Sequence, residues 1–178
     1  MKKLAVVGVR VRVADDDHEV LVILREANGP RALPIVIGPH EGIAIATAQA
    51  GVRLPRPGPH DLLLTALAAA DTQVQRVWIT AVRHGTFFAE LGLSNEARVD
   101  SRASDAISIA LRADVEIWCA DEILDELGLE LELDADQSDS LTIEVDDGDQ
   151  GPDEAEIAEF RRFLDAVLPT DFDGPGNS

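Results

Sequence analysis

Residues 99–112 read VDSRASDAISIALR, and this stretch joins the end of a short strand to a helix over 101–112. Ser101 or Ser104 can cap the helix, and Asp105 lies in its first turn, where the helix dipole favours an anion. The stretch therefore predicts a strand–helix junction with several polar side chains gathered around one helix start.

The segments on either side of this junction alternate between strand and helix patterns. Strands are predicted at 4–13, 19–25, 32–38, 74–82, 86–93, 97–100 and 115–119. Helices are predicted at 41–50, 60–71, 101–112 and 121–128. Because strands and helices do not alternate one by one, this order predicts a compact α+β domain with a mixed sheet and three to four short helices.

The composition changes after residue 129. Residues 130–153 are acidic and contain Gly, Ser and Gln, so we predict a linker there. Residues 154–172 carry apolar side chains at spacings of three and four, which predicts an amphipathic helical tail. The last residues, 173–178, are predicted to be a disordered end. The folded domain is therefore expected to occupy residues 1–129.

The negative charge of the chain is concentrated towards its C-terminus. The net charge is −19, yet residues 1–112 hold 13 basic and 12 acidic residues, whereas 113–178 hold 2 and 22. The acidic end is interpreted as a solvated tail. The alternative is that it docks across the domain and shields a basic surface from nucleic acid.

Several classes of protein are excluded by the residues and motifs that the chain lacks. Cys119 is the only cysteine, so neither an internal disulfide nor a cysteine zinc site can form. The phosphate loop GxxxxGK[ST], the dinucleotide motif GxGxxG, the zinc-protease motif HExxH and the hydrolase motif GxSxG are all absent. Because we find neither a signal peptide nor a membrane-spanning stretch, we expect a cytoplasmic protein without membrane association.

Three polar groups lie at predicted helix starts. They are His40-Glu41, Arg56 with His60-Asp61, and Asp100-Ser101-Arg102 with Ser104-Asp105. Helix N-termini offer free N–H groups to an anion, and arginine stabilises a transferring phosphoryl group. Histidines and carboxylates carry protons or bind metal ions. We therefore predict that the three groups converge on one phosphodiester. The structural alternative is that the acids are helix caps and ion-pair partners.

Four segments carry a family resemblance. They are LPIVIGPHEGIAIATAQAG at 33–51, PRPGPHDLLLTAL at 55–67, HGTFFAELGL at 84–93 and VDSRASDAISIALR at 99–112. In this order and spacing they resemble the bacterial bifunctional nuclease domain family, which was formerly a domain of unknown function and has plant relatives. The resemblance covers about residues 4–128.

The resemblance implies a compact α+β domain, a homodimer, and cleavage of RNA and DNA. The polar residues that recur in the family map here onto Glu41, Arg56, His60, Asp61, Glu90, Asp100, Arg102, Ser104 and Asp105. The chain departs from the family pattern at Phe88, where members often have Tyr, and at Pro59, where they often have Thr.

We therefore expect a nuclease assisted by a divalent cation, Mg or Mn. His60, Asp61, Glu41 and Asp105 are the expected catalytic residues; Glu41, Asp61, Asp100 and Asp105 are the expected cation ligands. Arg56, Arg102 and Ser104 are expected to hold the phosphate, with help from a basic cluster that includes Arg53 and Arg112. The alternative is a non-catalytic dimeric module for regulation or protein interaction, which the nearly neutral charge of residues 1–112 favours.

Overall fold

The computed structural model of the chain describes residues 1–14, 17–52 and 54–130. The predicted linker beyond residue 130, the predicted helical tail and the predicted end lie outside the described residues, as does Arg53. Within the described part, the chain forms one mixed sheet and four helices, which confirms the predicted α+β class.

The strands follow the alternation of apolar and polar side chains closely. They are β1 (Lys2–Ala14), β2 (Asp17–Glu26), β3 (Arg31–Ile37), β4 (Val74–Arg83), β5 (Thr86–Leu93), β6 (Arg98–Arg102), β7 (Glu116–Cys119) and β8 (Leu129–Glu130). The prediction missed only β8, because two residues are too few to show a period.

The helices are short. They are α1 (Pro39–Gln49), α2 (Pro59–Ala69), α3 (Ala103–Ala113) and α4 (Asp121–Leu127). Proline occupies the first position of α1 and α2, where its missing N–H costs no hydrogen bond. No helix among residues 1–14, 17–52 and 54–130 is long and apolar enough to span a bilayer.

The sheet has the strand order β6-β5-β4-β7-β1-β2-β3-β8. Only β4 and β7 pair in parallel, and every other neighbouring pair is antiparallel. The hairpins β1–β2 and β4–β5 form locally, as the sequence predicts, whereas β7 inserts between them from a distant part of the chain. This insertion joins the two hairpins into one sheet.

The helices lie on one side of this sheet, called here the core face: α1, α3 and α4 bury side chains in the core, and α2 packs against α3. Val77 and Ile79 of β4 point into the core and are fully buried, together with Ile45 of α1 and Ile107 of α3. Cys119 lies in the same core, and burial raises the pKa of its thiol to about 12. Burying each such aliphatic side chain contributes about 1.5–3 kcal/mol.

The opposite side of the sheet, called here the outer face, carries aromatic side chains. Trp78 of β4 lies beside Trp118 of β7 in the parallel register. Trp78 also faces Glu90 across the β4–β5 pair, and Phe88 follows on the same side of β5. Gly92 makes room for this arrangement, because a Cβ atom there would lie 2.4 Å from Cζ3 of Trp78. The indole ring therefore lies against the backbone of β5.

We expect Gly92→Ala to displace the Trp78 ring and to lower the free energy of unfolding by about 1–3 kcal/mol, as overpacking does. Chemical denaturation followed by circular dichroism measures this loss. Gly58→Ala is the matched control, because a Cβ at Gly58 would meet its nearest atom at 3.4 Å, an ordinary contact. Equal stability of the two variants would contradict the close approach of Trp78 to β5.

Candidate functional site

The starts of α1 and α3 lie at one end of the core. Gly38 and Arg102 are the N-cap residues of these helices. Because glycine has no side chain and the guanidinium has no acceptor, neither first turn has a side-chain cap. The prediction that Ser101 or Ser104 caps α3 is wrong, because β6 continues through Arg102 and the helix starts one residue later. The Ser101 hydroxyl instead donates to the carbonyl oxygen of Arg102 at 3.0 Å.

Arg102 connects the first turns of α1 and α3. Its Nε donates to Oδ2 of Asp105 at 2.6 Å, and its Nη2 donates to Oδ1 of the same carboxylate at 3.1 Å. Its Nη1 donates to Oε1 of Glu41 at 2.9 Å. The planar guanidinium is suited to this fork, which a lysine ammonium could not reproduce.

His60 joins the same group from the first turn of α2. Its Nε2 lies 3.1 Å from Oδ1 of Asp105, and its side chain is only 17% exposed. An ionised carboxylate only accepts hydrogen bonds, so we assign the donor role in this contact to Nε2, and Nδ1 is the ring nitrogen that does not face Asp105. Glu41, His60, Arg102 and Asp105 are called here the four-residue cluster.

The charge state of Asp105 follows from its neighbours. The hydrogen bonds from Arg102 hold the pKa of the Asp105 carboxyl below its ordinary value; partial burial opposes this shift and the contact with His60 adds to it. The same contacts, from Asp105 first and Glu41 next, raise the pKa of Arg102. Both groups are therefore charged at neutral pH, and Asp105 can orient His60 as a permanent acceptor.

Asp61 has a different partner from its neighbour His60. Its Oδ2 accepts a hydrogen bond from the backbone N–H of Gly58 at 3.1 Å, and its Oδ1 lies 3.3 Å from Nε of Arg112. Arg112 also donates to the carbonyl oxygens of Ser108 and Ala44, at 3.1 and 3.2 Å. This side chain therefore ties α1, α2 and α3 together, and Asp61 has the structural role of a cap and an ion-pair partner.

The remaining predicted site residues do not join the four-residue cluster. Asp100 is exposed on the outer face opposite Glu90, and Glu90 accepts a hydrogen bond from Arg98 at 2.9 Å. Arg56 is exposed in the loop before α2, and among the described residues it forms no ion pair. Arg53 lies outside the described residues.

A groove of about 240 Å³ is lined by Glu41 and Arg102 of the four-residue cluster, but not by its other two members. Gly38 and Ser104 also line it, so the starts of α1 and α3 both border it. Residues 85–87, at the turn of the β4–β5 hairpin and the start of β5, also line the groove. Sequence reasoning placed this turn in a hairpin but gave it no part in the site, since nothing in its local pattern indicates which distant helices it meets.

The four carboxylates predicted to bind a cation do not converge. Glu41 and Asp105 both bind Arg102, Asp61 binds Arg112, and Asp100 lies on the outer face. Within residues 1–14, 17–52 and 54–130, no three His, Cys, Asp or Glu side chains are placed to hold a metal ion. A hard cation needs several free oxygen ligands, so this donor set does not fit a resident Mg or Mn ion. The predicted cation requirement stays a prediction.

Comparison with known proteins gives the chain a family context. A family model described as the bifunctional nuclease domain matches residues 22–132, a range that contains the whole four-residue cluster. Uncharacterized proteins from two strains of Mycobacterium tuberculosis are 37% identical over 172 residues, covering 97% of this chain and 98% of theirs. Bifunctional nuclease 2 of Arabidopsis thaliana and bifunctional nuclease 1 of Oryza sativa subsp. indica are 29% identical over 106 residues, covering 56% of this chain and 32% of their own length.

The Asp105 contacts predict how stability depends on pH. Because the folded-state pKa of Asp105 is depressed, its contribution is complete above the ordinary aspartate pKa and is lost as the pH falls through the folded-state value. We expect Asp105→Asn to have a free energy of unfolding about 1–3 kcal/mol below that of the unsubstituted protein at pH 7. This difference should become smaller as the pH falls. Urea denaturation at several pH values measures both effects.

Asp100→Asn is the control for this experiment, because Asp100 is exposed and has no ion-pair partner among the described residues. Its effect should stay within about 0.5 kcal/mol at every pH. If Asp105→Asn behaved like Asp100→Asn at pH 7, the contacts with Arg102 and His60 would contribute nothing to stability.

Proposed function

Because the chain belongs to the bifunctional nuclease domain family, we propose that it is a nuclease that hydrolyses phosphodiester bonds of RNA or DNA at the four-residue cluster. The observation that supports this most directly is the contact of His60 Nε2 with Asp105, 3.1 Å long, beside the exposed guanidinium of Arg102. An oriented imidazole next to an arginine can supply a general base and a counter-charge for phosphodiester hydrolysis.

Phosphate binding is assigned to the groove. Arg102 is 66% exposed although it binds two carboxylates, so part of its guanidinium still faces solvent. Ser104 lies in the first turn of α3 and lines the same groove. The uncapped first turns of α1 and α3 add backbone N–H groups, which favour an anion at both helix starts.

Proton transfer is assigned to His60. Asp105 accepts a hydrogen bond from the Nε2–H group and fixes the ring, and Nδ1 is then the atom that can take a proton from an attacking water. The resulting imidazolium lies next to an ionised carboxylate, which stabilises its charge. Arg102 stabilises the negative charge that develops on the phosphoryl oxygens. Glu41 orients Arg102 from the opposite side.

The alternative function is a non-catalytic dimeric module for regulation or protein interaction. Large apolar side chains on the helical side favour it, since Ile43 of α1 is 65% exposed and Leu62 of α2 is 58% exposed. Exposed apolar patches of this kind mark interaction surfaces. The homodimer that the family resemblance implies is compatible with both functions, and we propose it for both.

A cleavage assay with labelled single-stranded RNA and DNA tests the nuclease proposal. We expect His60→Ala to lower the cleavage rate of the full chain by about 10²-fold or more, because it removes the general base. His40→Ala is the matched control, since His40 is exposed at the start of α1 and contacts none of the four cluster residues among the described interactions. Equal rates for both variants would contradict the assigned role of His60.

The same assay addresses the predicted cation. Reactions run with Mg, with Mn and with a chelator decide whether cleavage requires a divalent ion. Loss of cleavage in the chelator, restored by adding back Mg or Mn, would support the requirement. Unchanged cleavage in the chelator would contradict it, and would agree with Arg102 as the main counter-charge for the phosphate.

A further inference from the structure

We propose that the outer face of the sheet is a docking surface for single-stranded nucleic acid, on which arginine side chains stacked over aromatic rings receive the bases and phosphates. This inference deepens the proposed function and rests on it, since a nuclease must bind a nucleic acid before it cleaves it. Its own evidence is separate from the four-residue cluster.

Three arginine–aromatic stacks lie on this one face. The guanidinium carbon of Arg98 is 4.2 Å from the ring centre of Trp78. The corresponding distances are 5.2 Å for Arg83 over Phe88 and 5.5 Å for Arg76 over Trp118. Significant cation–π contacts occur about once per 70–80 residues, so three on one side of a domain of this size are a local concentration.

The backbone of β5 and two glutamate side chains hold the stacked groups in place. Trp78 lies flat because Gly92 leaves no side chain beneath it. Glu90 accepts a hydrogen bond from Arg98 and fixes the guanidinium over the ring. Glu116 accepts hydrogen bonds from the Trp118 indole at 3.0 Å and from Lys3 at 2.8 Å, and it lies 3.8 Å from Arg76. The planar groups are therefore pre-ordered, which lowers the entropy cost of binding.

Two of the stacked arginine side chains remain accessible to a ligand. The Arg98 side chain is 59% exposed and that of Arg76 is 47% exposed, although each lies over a ring. Unpaired bases stack on guanidinium planes as well as on aromatic rings, whereas the stacked bases of a duplex do not present their faces. The arrangement therefore favours a single strand over a duplex.

The charge of the outer face also suits a polyanion. The cations Lys3, Arg76, Arg83 and Arg98 share this face with the acids Glu90, Asp100 and Glu116. This part of the sheet is net positive in a chain whose net charge is −19. Glu90 and Glu116 are each bound to a cation, so their repulsion of phosphate is reduced.

The outer face adjoins the four-residue cluster at the end of β6. Arg102 pairs with Phe88 in the β5–β6 register, at the end of β6 where α3 begins. A strand bound over Phe88 and Arg83 would therefore reach the guanidinium that borders the groove. All four described helices pack on the core face, so within this part of the chain no helix lies across this path.

The experiment uses the intrinsic fluorescence of the full 178-residue chain. Trp78 and Trp118 are its only tryptophans and tyrosine is absent, so fluorescence reports on the outer face alone. We titrate the protein at low salt with a single-stranded oligodeoxynucleotide of about 12 nucleotides, a length within the usual site sizes, and with the corresponding duplex. We expect saturable quenching by the single strand and weaker binding of the duplex.

Arg98→Ala is expected to weaken single-strand binding about tenfold, and Arg98→Lys to weaken it less because the charge remains. Lys2→Ala is the control, because Lys2 is also an exposed, ion-paired cation of the sheet but lies on the core face, opposite the buried Cys119 in the β1–β7 pair. A fluorescence anisotropy titration with labelled oligonucleotide measures the affinity of each variant, and thermal unfolding verifies its fold.

Equal affinities of Arg98→Ala and Lys2→Ala would overturn the proposal. So would fluorescence that responds to protein concentration but not to oligonucleotide, which would identify the face as a contact between copies of the chain. The His60→Ala variant separates this proposal from the nuclease proposal, because it should bind like the unsubstituted protein. Binding without any cleavage by the unsubstituted protein would reject the nuclease proposal and leave the docking surface in place.

Discussion

The fork of hydrogen bonds from Arg102 to Asp105 is the interaction on which the arrangement of the candidate site depends. It fixes the first turn of α3 against the end of β6 and keeps Asp105 ionised. The same guanidinium binds Glu41 and thereby holds α1 in position. Asp105 then accepts a hydrogen bond from Nε2 of His60. The Arg102 side chain thus links the starts of three helices. Through Asp105, it also influences which nitrogen of His60 donates a hydrogen bond.

The two faces of the sheet have different roles: one supports the helices, and the other carries the arginine–aromatic stacks. Its core face carries aliphatic side chains and supports all four helices, so the helix starts are held by a rigid base. Its outer face carries Trp78, Trp118 and Phe88, each covered by an arginine. The alternation of side chains along β4 makes this separation possible, because Val77 and Ile79 point one way and Trp78 the other.

Much of the fold could be predicted because its elements have clear periods. The predicted bounds of the strands before α1 and of α3 differ by only a few residues from those of the structure. The helix starts predict that three polar groups converge, and Glu41, His60, Arg102 and Asp105 are the members of these groups that meet among the described residues. The capping of α3 was predicted wrongly, because pairing with β5 extends β6 through Arg102 and competes with a serine cap. The pairing of Asp61 with Arg112 depends on helix packing, which no local pattern encodes.

The burial of Cys119 has a practical consequence. Its thiol is fully buried and stays protonated at neutral pH, so it reacts poorly with maleimides and other thiol reagents, which require the thiolate. It is also the only cysteine in the chain. A cysteine introduced at an exposed position would therefore be labelled selectively, without prior removal of the native one. Pairs of such positions would give distances by spin or dye labelling in a chain that keeps its natural core.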